Sequence, residues 1–556
     1  MLLKRFLPRI TFDSYEDFKE NYRVNIPEDF NFGFDIVDAW AELDKNKVAL
    51  IWCDDHGHEK TFTFEEIKKL SNKTANYLKS LGIKKGDVVM LILRRRWEYW
   101  ICATALHKLG AILIPGSLQL TKKEIIFRAE AADIKTIICV DDAFVIEQVE
   151  QAMQETKVIE NRILVDIKRD GWLSFEDGIA AQSEDFPRPV GDEATRWDDT
   201  MVVYFTSGTT GMPKMVQHNF AHPLGHIVTA KYWQQVQDGK LHLSVSDSGW
   251  AKFSWGKIYG QWICGAIVFA YDMDRFIPAK LLEVITKYGV TTFCAPPTMF
   301  RFMLQEDLTQ YDLSCIKHCC IAGEPLNPEV FNKWYELTGI KLYEGFGQTE
   351  STVLLANFEW FEPIPGSMGK PSPLYDIQLV DKEGNPCKNG EEGKIICRDV
   401  KNNPPVGLFI GYYKDEALTQ ETLYGKWYDT KDVAWRDENG YYWFIGRHDD
   451  VIKCSGYRIG PFEIESCLLE HEAVLECAIT GAPDPIRGQV VKATIVLAKG
   501  FKPSDALKKE LQNYVKFNTA PYKYPRIVEF VDVLPKTLGG KIKRAQIRNG
   551  DKEAAL

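Results

Sequence analysis

The chain lacks any run of eighteen uninterrupted apolar residues, so it offers no membrane-spanning helix. It also lacks an excess of positive charge. The 68 Lys and Arg stand against 78 Asp and Glu, a formal net charge of −10 with a pI near 5.7, which disfavours nucleic acid and acidic membrane surfaces as partners. Metal-type cysteine spacing is missing as well. The 13 cysteines are scattered and odd in number, and the adjacent Cys319-Cys320 cannot form such a site alone, which suits reduced thiols in a cytosolic enzyme. No internal repeat or low-complexity tract is visible. The start, Met1-Leu2-Leu3-Lys4-Arg5-Phe6-Leu7-Pro8-Arg9, is basic but too broken in its apolar residues for a secretory signal. A transit peptide is the other reading, and Asp13, Glu16 and Asp17, which follow at once, speak against it. The expectation is a cytoplasmic protein, with the mitochondrial matrix second.

What is present is an ordinary globular composition, 45% hydrophobic and 26% charged, over 556 residues. That length suggests about three or four domains' worth of material and a large core. Residues 1 to about 40 read as a lead-in segment of helices. From Val48 onward, strand-like and helix-like stretches alternate. Ile67, Leu70, Thr74, Tyr77, Leu78 and Leu81 recur at helical spacing up to Gly82, 87–93 reads as a strand, and 97–109 reads as a helix closed by Gly110. Strands follow at 111–114 and 134–140, then a polar, turn-rich stretch at 165–200. Further on, a helix at 281–288 precedes strands at 290–294 and 316–322. This alternation predicts mostly parallel sheets covered by helices. From Ile377 the segments shorten, turns such as Glu383-Gly384-Asn385 appear, and aromatics cluster at 441–444, which predicts a small antiparallel unit. About a hundred residues beyond Gly446-Arg447-His448-Asp449-Asp450 suffice for a small α+β domain. The expected fold is thus α/β and α+β. A large N-terminal domain, 1–448, has helix-covered β-sheets and a β-rich subdomain, and a small mobile C-terminal α+β domain spans 449–556.

The most telling stretch is Tyr204-Phe205-Thr206-Ser207-Gly208-Thr209-Thr210-Gly211-Met212-Pro213-Lys214. The apolar run 201–205 reads as a buried strand. It leads into four hydroxyl residues, two glycines that let the backbone approach a ligand, and a lysine, a combination suited to a polyphosphate. It is not the Walker spacing, which needs glycine where Pro213 stands. A plain glycine-rich turn is the blander reading.

Other clusters stand beside it. Glu344-Gly345-Phe346-Gly347-Gln348-Thr349-Glu350 puts a turn before a hydroxyl and a carboxylate, and a carboxylate near a polyphosphate is most simply a ligand for Mg²⁺. Tyr428-Asp429-Thr430, with Asp432, ends a short aromatic strand in a carboxylate that could hold both hydroxyls of a ribose or simply sit in a turn. The stretch from Gly446 to Arg458 mixes charge and glycine at the likely junction. Pro535-Lys536-Thr537-Leu538-Gly539-Gly540-Lys541-Ile542-Lys543-Arg544 can carry Lys541 into a site, or be a solvated basic tail. His218, His222 and His226 stand four apart and would share a helix face. A metal site is one reading, but Pro223 interrupts the run and no carboxylate joins it, so capping, packing or solvent exposure also serves.

Taken together and in this order, these clusters resemble the adenylate-forming superfamily of acyl-CoA synthetases, luciferases and peptide-synthetase adenylation domains, over roughly 40–548. Within it the chain looks most like the medium-chain acyl-CoA synthetases. Gly249-Trp250, Ala295-Pro296-Pro297-Thr298, Gly323-Glu324-Pro325-Leu326 and Ser455-Gly456-Tyr457-Arg458-Ile459-Gly460-Pro461 carry that closer match. The resemblance implies two half-reactions: a carboxylic acid and ATP give acyl-AMP and pyrophosphate, then coenzyme A takes the acyl group and AMP leaves. It implies that Thr206, Ser207, Gly208, Thr209, Thr210, Gly211 and Lys214 hold the β- and γ-phosphates. Thr349 would meet the α-phosphate, Glu350 would bind Mg²⁺, and Lys541 would bridge the reacting oxygens. Gly323, Glu324 and Pro325 flank the adenine, with Glu344, Gly345, Phe346, Gly347 and Gln348 also on the nucleotide, while Asp429 and Arg447 hold the ribose. Ser455, Gly456, Tyr457 and Arg458 match the coenzyme A segment, with Arg487, Lys516, Tyr524 and Arg526 as weaker candidates. Asp449 matches the hinge about which the small domain rotates between the steps.

The acid is less legible. Acetyl-specific members of the superfamily carry a tryptophan just before Gln-Thr-Glu. Here Gly347 stands there, so the pocket should admit more than acetate. Trp233, Trp250, Lys252, Trp255 and Cys294 are the candidate walls, although tryptophans are also ordinary core residues. Lys252 could snorkel outward or meet a polar substrate group. The expectation is a short- to medium-chain acid, branched acids included, with benzoate-like acids next. Rival readings are delivery to a carrier-protein thiol and a non-enzymatic nucleotide-binding module. The segment at 455 favours coenzyme A over the first, and Glu350, Asp429, Arg447 and Lys541 together argue against the second.

Overall fold

The computed structural model describes residues 2–206, 213–423, 425, 427–454, 457–484, 487–536 and 542–554, with Tyr457 and Arg458 described by backbone alone. Local signals account for most element ends. The helix Phe64–Ser80 opens on a capping box, in which Thr63 accepts from Glu66 N while the Glu66 carboxylate accepts from Thr63 N. It buries Ile67, Thr74, Ala75 and Leu78 on one face. The helix Glu98–Leu109 ends at Gly110, whose φ of 72° an L side chain rarely adopts. The strands Val88–Ile92 and Ile112–Pro115 are buried throughout, as expected of parallel strands covered on both faces.

Among the described residues the strands form sheets of thirteen, eight and five members. In the thirteen-stranded sheet, Leu342–Gly347, His318–Ile321, Thr292–Ala295, Leu241–Ser244, Ile267–Asp272 and Val48–Asp54 run parallel in that spatial order. The antiparallel unit expected from Ile377 is present and continues the large sheet. Strands Val353–Ala356 and Ser367–Pro371 carry the same sheet on to Tyr442–Arg447, Tyr428–Arg436, Gly393–Cys397 and Ile377–Val380. In the eight-stranded sheet, Thr200–Thr206 pairs parallel with Ile112–Pro115 and antiparallel with Lys214–Asn219.

The stretch 165–200 is less irregular than its composition suggests, since Phe175–Ala180 is a helix started by the Ser174 side chain. The first residues belong to the main core: Leu2, Leu3, Phe6 and Leu7 are all buried, and the Phe6 ring meets Phe30 edge-on at 5.4 Å. Toward the C-terminus the five-stranded sheet has its own core of Ile452, Ile464, Leu468, Ile479, Val491, Leu511 and Val515. A tight turn, in which Asp450 N and Val451 N both donate to Arg447 O, separates it from the large sheet.

Candidate functional site

The C-terminal ends of parallel strands are where a sheet of this kind leaves a crevice for ligands. Those ends carry Cys294, Ala322, Gly323 and the stretch from Glu344 to Glu350. The predicted phosphate loop joins the antiparallel strands Thr200–Thr206 and Lys214–Asn219, whose ends Thr206 and Lys214 are paired. Ser207, Gly208, Thr209, Thr210 and Gly211 lie outside the described residues, as do Ser455, Gly456 and Lys541 and the side chains of Tyr457 and Arg458.

Around Gln348 the described residues converge. Its amide nitrogen donates to Thr430 O (2.7 Å) and Asp432 Oδ2 (2.6 Å), and its oxygen accepts from Tyr428 OH (2.5 Å). Asp432, only 3% exposed, also accepts from Arg447 Nη1 at 3.4 Å. Burial works against the Arg447 charge, but the Asp432 and Glu350 carboxylates outweigh it and raise its pKa. Glu350 Oε1 accepts from Tyr412 OH at 3.2 Å, and Lys214 Nζ lies 5.2 Å from the centre of the Tyr412 ring. Tyr412 thus links the phosphate-loop lysine to the predicted metal carboxylate. Sequence reading missed it, because a tyrosine in a two-residue strand gives no local signal. Asp429 is paired with Lys431 (3.3 Å) and Lys394 (3.5 Å).

The predicted adenine loop follows the strand His318–Ile321. Gly323 takes φ +106° with open space where a Cβ would stand, so backbone conformation rather than packing calls for glycine. Glu324 accepts from Thr298 Oγ1 (2.6 Å), Thr298 Oγ1 accepts from Arg301 Nη2 (3.2 Å), and Arg301 Nη1 reaches Leu475 O (3.3 Å). Beside Leu475, Glu476 pairs with Lys536 at 2.6 Å, so this chain of contacts runs from the adenine loop to the base of the stretch carrying Lys541. Pro325 is followed by Leu326, whose amide faces the buried Glu344 carboxyl. Burial pushes that carboxyl up to about 8.

On the acyl side, Trp233 is fully buried and its indole donates to Tyr343 O at 3.1 Å. Its ring lies 2.5 Å from where a Cβ on Gly345 would stand, and 5.9 Å from the Trp255 ring between centroids. Trp250 and Trp255 are part-buried. Lys252 does not snorkel free: its ammonium donates to Ala322 O at 2.8 Å. Cys294 is buried beside it, and burial raises the thiol pKa. A Cβ on Gly347 would meet Thr352 O at 2.7 Å, so close backbone approach is a reason for glycine there that is independent of substrate.

Of the weaker coenzyme A candidates, Lys516, Tyr524 and Arg526 come together. Arg526 Nη1 donates to Tyr524 OH at 2.8 Å, and both cations lie over the Tyr524 ring, Lys516 Nζ at 5.8 Å and Arg526 at 4.9 Å. The Arg487 amide donates to Asp484 Oδ1 at 2.7 Å. Asp449 lies exposed in the turn between the two sheets.

The three histidines form a row, but not on one helix. His218 sits on the strand Lys214–Asn219, and the helix His222–Ile227 begins after it with Pro223 in its first turn, where a missing N–H costs nothing. The proline therefore starts the helix rather than interrupting it. All three rings are buried, and burial holds all three neutral, His218 at about 4. Among the described residues the trio of carboxylates placed to share a cation is Glu98, Asp166 and Glu176, and Arg96 already pairs with two of them at 2.6 and 2.8 Å.

Two family models match the chain: AMP-binding enzyme over residues 37–413, and AMP-binding enzyme C-terminal domain over 463–541. The chain is 41% identical over 547 residues to the mouse (Mus musculus) protein "Acyl-coenzyme A synthetase ACSM3, mitochondrial", covering 97% of this chain and 93% of that one. Among solved structures it is similar to the anthranilate CoA ligase AuaEII in complex with anthranoyl-AMP, with a TM-score of 0.87 and 28% identity over 96% of this chain and 99% of that one. It is also similar to a benzoate CoA ligase from Burkholderia xenovorans LB400, with a TM-score of 0.81 and 25% identity over 93% and 100%.

Proposed function

The chain belongs to the family of AMP-binding enzymes, and on that premise we propose how its residues divide the work of an ATP-dependent, AMP-forming acyl-CoA synthetase. The protein is an acid–thiol ligase acting on a carboxylic acid, ATP and coenzyme A. In the first half-reaction a carboxylate oxygen bonds to the α-phosphorus and pyrophosphate leaves. In the second, the thiol of coenzyme A bonds to the acyl carbon, its proton is lost to water, and AMP leaves.

No general base is needed in the first step, since a carboxylic acid with a pKa of about 4.3 is ionised at neutral pH. The difficulty is anion repulsion, and fixed positive charge answers it. The converged group around Gln348 carries this reading, because it brings Lys214, Glu350, Arg447 and Asp432 to one place through Tyr412, Tyr428 and Thr430. In this assignment 206–211 and Lys214 bind the β- and γ-phosphates, Thr349 the α-phosphate, and Asp429 and Arg447 the ribose. Lys541 bridges the acyl and α-phosphate oxygens. Glu350 and Thr349 offer oxygen donors that fit Mg²⁺, which favours one or two carboxylates together with substrate phosphates. When bound, Mg²⁺ neutralises phosphate charge. For the second step, Ser455 to Arg458, with Lys516, Tyr524 and Arg526, bind coenzyme A after the small domain, 449–556, rotates about Asp449 relative to 1–448.

The acid is short to medium in chain length, branched acids included. An aromatic acid is the second reading, supported by the Trp233–Trp255 wall and by the names of the two similar solved structures. The thirteen cysteines, all unpaired, suit a reducing compartment, the cytosol first and the mitochondrial matrix second. The deciding experiment is a panel from acetate to octanoate, with branched and aromatic members, assayed for pyrophosphate and thioester product. Acid-dependent pyrophosphate release without coenzyme A dependence would point to another acceptor. No release with any acid would overturn the assignment.

A further inference from the structure

His218, His222 and His226 serve no step assigned above, yet their contacts lead straight to the adenylation residues. His218 Nε2 lies 2.7 Å from Thr349 O. A carbonyl only accepts, so Nε2 carries the proton and donates. The other face of the row is equally defined. The His218 ring lies against His222 with centroids 3.8 Å apart and planes 32° apart, and His222 Nε2 and His226 Nε2 share a hydrogen bond of 3.2 Å. His226 is tied to Thr229 Oγ1 (3.1 Å) and stacks on Trp255, centroids 6.4 Å apart with planes 16° apart.

The contact at Thr349 O matters because of what it completes. That carbonyl belongs to the peptide entering Glu350. The peptide leaving Glu350 is held by Phe409 N, which donates to Glu350 O at 2.7 Å. Glu350 is thus gripped on both sides by its backbone and once by its carboxylate, through Tyr412. Two of these holds cross from the eight-stranded sheet to the end of Leu342–Gly347 in the thirteen-stranded sheet: Tyr412 from the edge strand Gly411–Tyr412, and His218 from the strand that leaves the phosphate loop. Gly225 lets the helix carrying His222 and His226 lie directly on Gly407, two residues before Phe409, because a Cβ there would meet Gly407 Cα at 2.8 Å. Both grips on Glu350 therefore brace against the same helix.

We infer that His218 is a positioning residue for the first half-reaction: by holding the Thr349 carbonyl it fixes Thr349 and Glu350 relative to the phosphate loop, with His222 and His226 keeping its ring in place. This rests on the assignment of Thr349 and Glu350 to the phosphates made above. A group displaced by about 1 Å commonly costs about a hundredfold in rate.

The test uses the full-length enzyme with its best acid and measures the half-reactions separately. His218→Gln, which can reach Thr349 O with an amide N–H in place of Nε2, is expected to keep ATP–pyrophosphate exchange within about fivefold of wild type, whereas His218→Phe loses about a hundredfold in its rate with little change in KM for the acid. Thioester formation from preformed acyl-AMP stays near wild type in both. If His218→Phe does not fold, His218→Asn replaces it, since its amide falls at the Nδ1 position and cannot reach the carbonyl; thermal midpoints identify misfolding. Equal loss of both half-reactions, equal loss in the Gln and Phe (or Asn) variants, or unchanged exchange in Phe or Asn would each overturn the inference. Absence of acid-dependent exchange in the wild type would instead overturn the assigned function, so the two failures are distinguishable.

Discussion

On the side proposed for the nucleotide, polar groups come from strand ends and turns and pair with one another: Gln348 with Thr430, Asp432 and Tyr428, Arg447 with Asp432, and Tyr412 with Glu350. On the side proposed for the acyl group, the Trp233 and Trp255 rings pack at a tilt of 46°, and buried polar atoms stand nearby without hydrogen-bond partners among the described residues, namely Gln234 Nε2, Ser244 Oγ, Gln261 Oε1 and Trp250 Nε1. The difference teaches what each half is for. The network centred on Gln348, whose members pair with one another, fixes one geometry for a ligand that never changes. A wall of large apolar surfaces sets size and shape, and discriminates weakly.

The comparison breaks most sharply at Lys541. Lys541→Ala should slow ATP–pyrophosphate exchange by about 10²- to 10³-fold, as loss of a preorganised charge-stabilising donor does, while thioester formation from preformed acyl-AMP survives; loss of both steps alike would remove Lys541 from its assigned role. Next, Asp432→Ala strips partners from Gln348 and Arg447 together. We expect kcat/KM for ATP to fall about a hundredfold, in line with losses of about 2–4 kcal/mol for groups that orient a site, with the ranking of acids unchanged. A changed ranking would mean that the two halves are not separable.

Trp255→Ala is the converse. It should shift relative kcat/KM toward bulkier acids by about 10- to 100-fold and leave KM for ATP alone, read from the same acid panel. The smallest effect is on stability. Burial lifts the Glu344 carboxyl from 4.5 to about 8, so the folded chain keeps a proton there that the unfolded chain releases once pH exceeds its lower value. The stability this group allows is present at low pH and lost as pH rises through that window. Glu344→Gln, neutral at every pH, should therefore be more stable than wild type at pH 8 by about 1–3 kcal/mol and no more stable near pH 4.5, measured by urea denaturation.

Legibility followed the same division. The βα alternation and several helix ends were readable because their signals are local: Gly110 closes one helix and Gly82 stands just past another. The motif order gave the nucleotide site its candidates. Pro223 misled, because a proline that opens a helix and one that breaks it look alike until the start is known. The antiparallel unit from Ile377 was readable as a β-rich subdomain of the large domain, but the edge pairing through Val353–Ala356 and Ser367–Pro371 that joins it to the large sheet was not, since pairing partners are not written in a strand's own composition.

By itself, then, the sequence determined the alternating architecture, the family, and the short turns rich in glycine, hydroxyl and charge that are proposed to bind the nucleotide, since each is encoded within a few consecutive residues. Only the tertiary structure decided which of those turns meet and what holds them. Tyr412 reaches Glu350 across 62 positions, Gln348 reaches Asp432 across 84, His218 reaches Thr349 across 131 and Arg301 reaches Leu475 across 174. Such contacts depend on how two sheets and a small domain pack together, and no periodicity or spacing along the chain encodes a partner that far away.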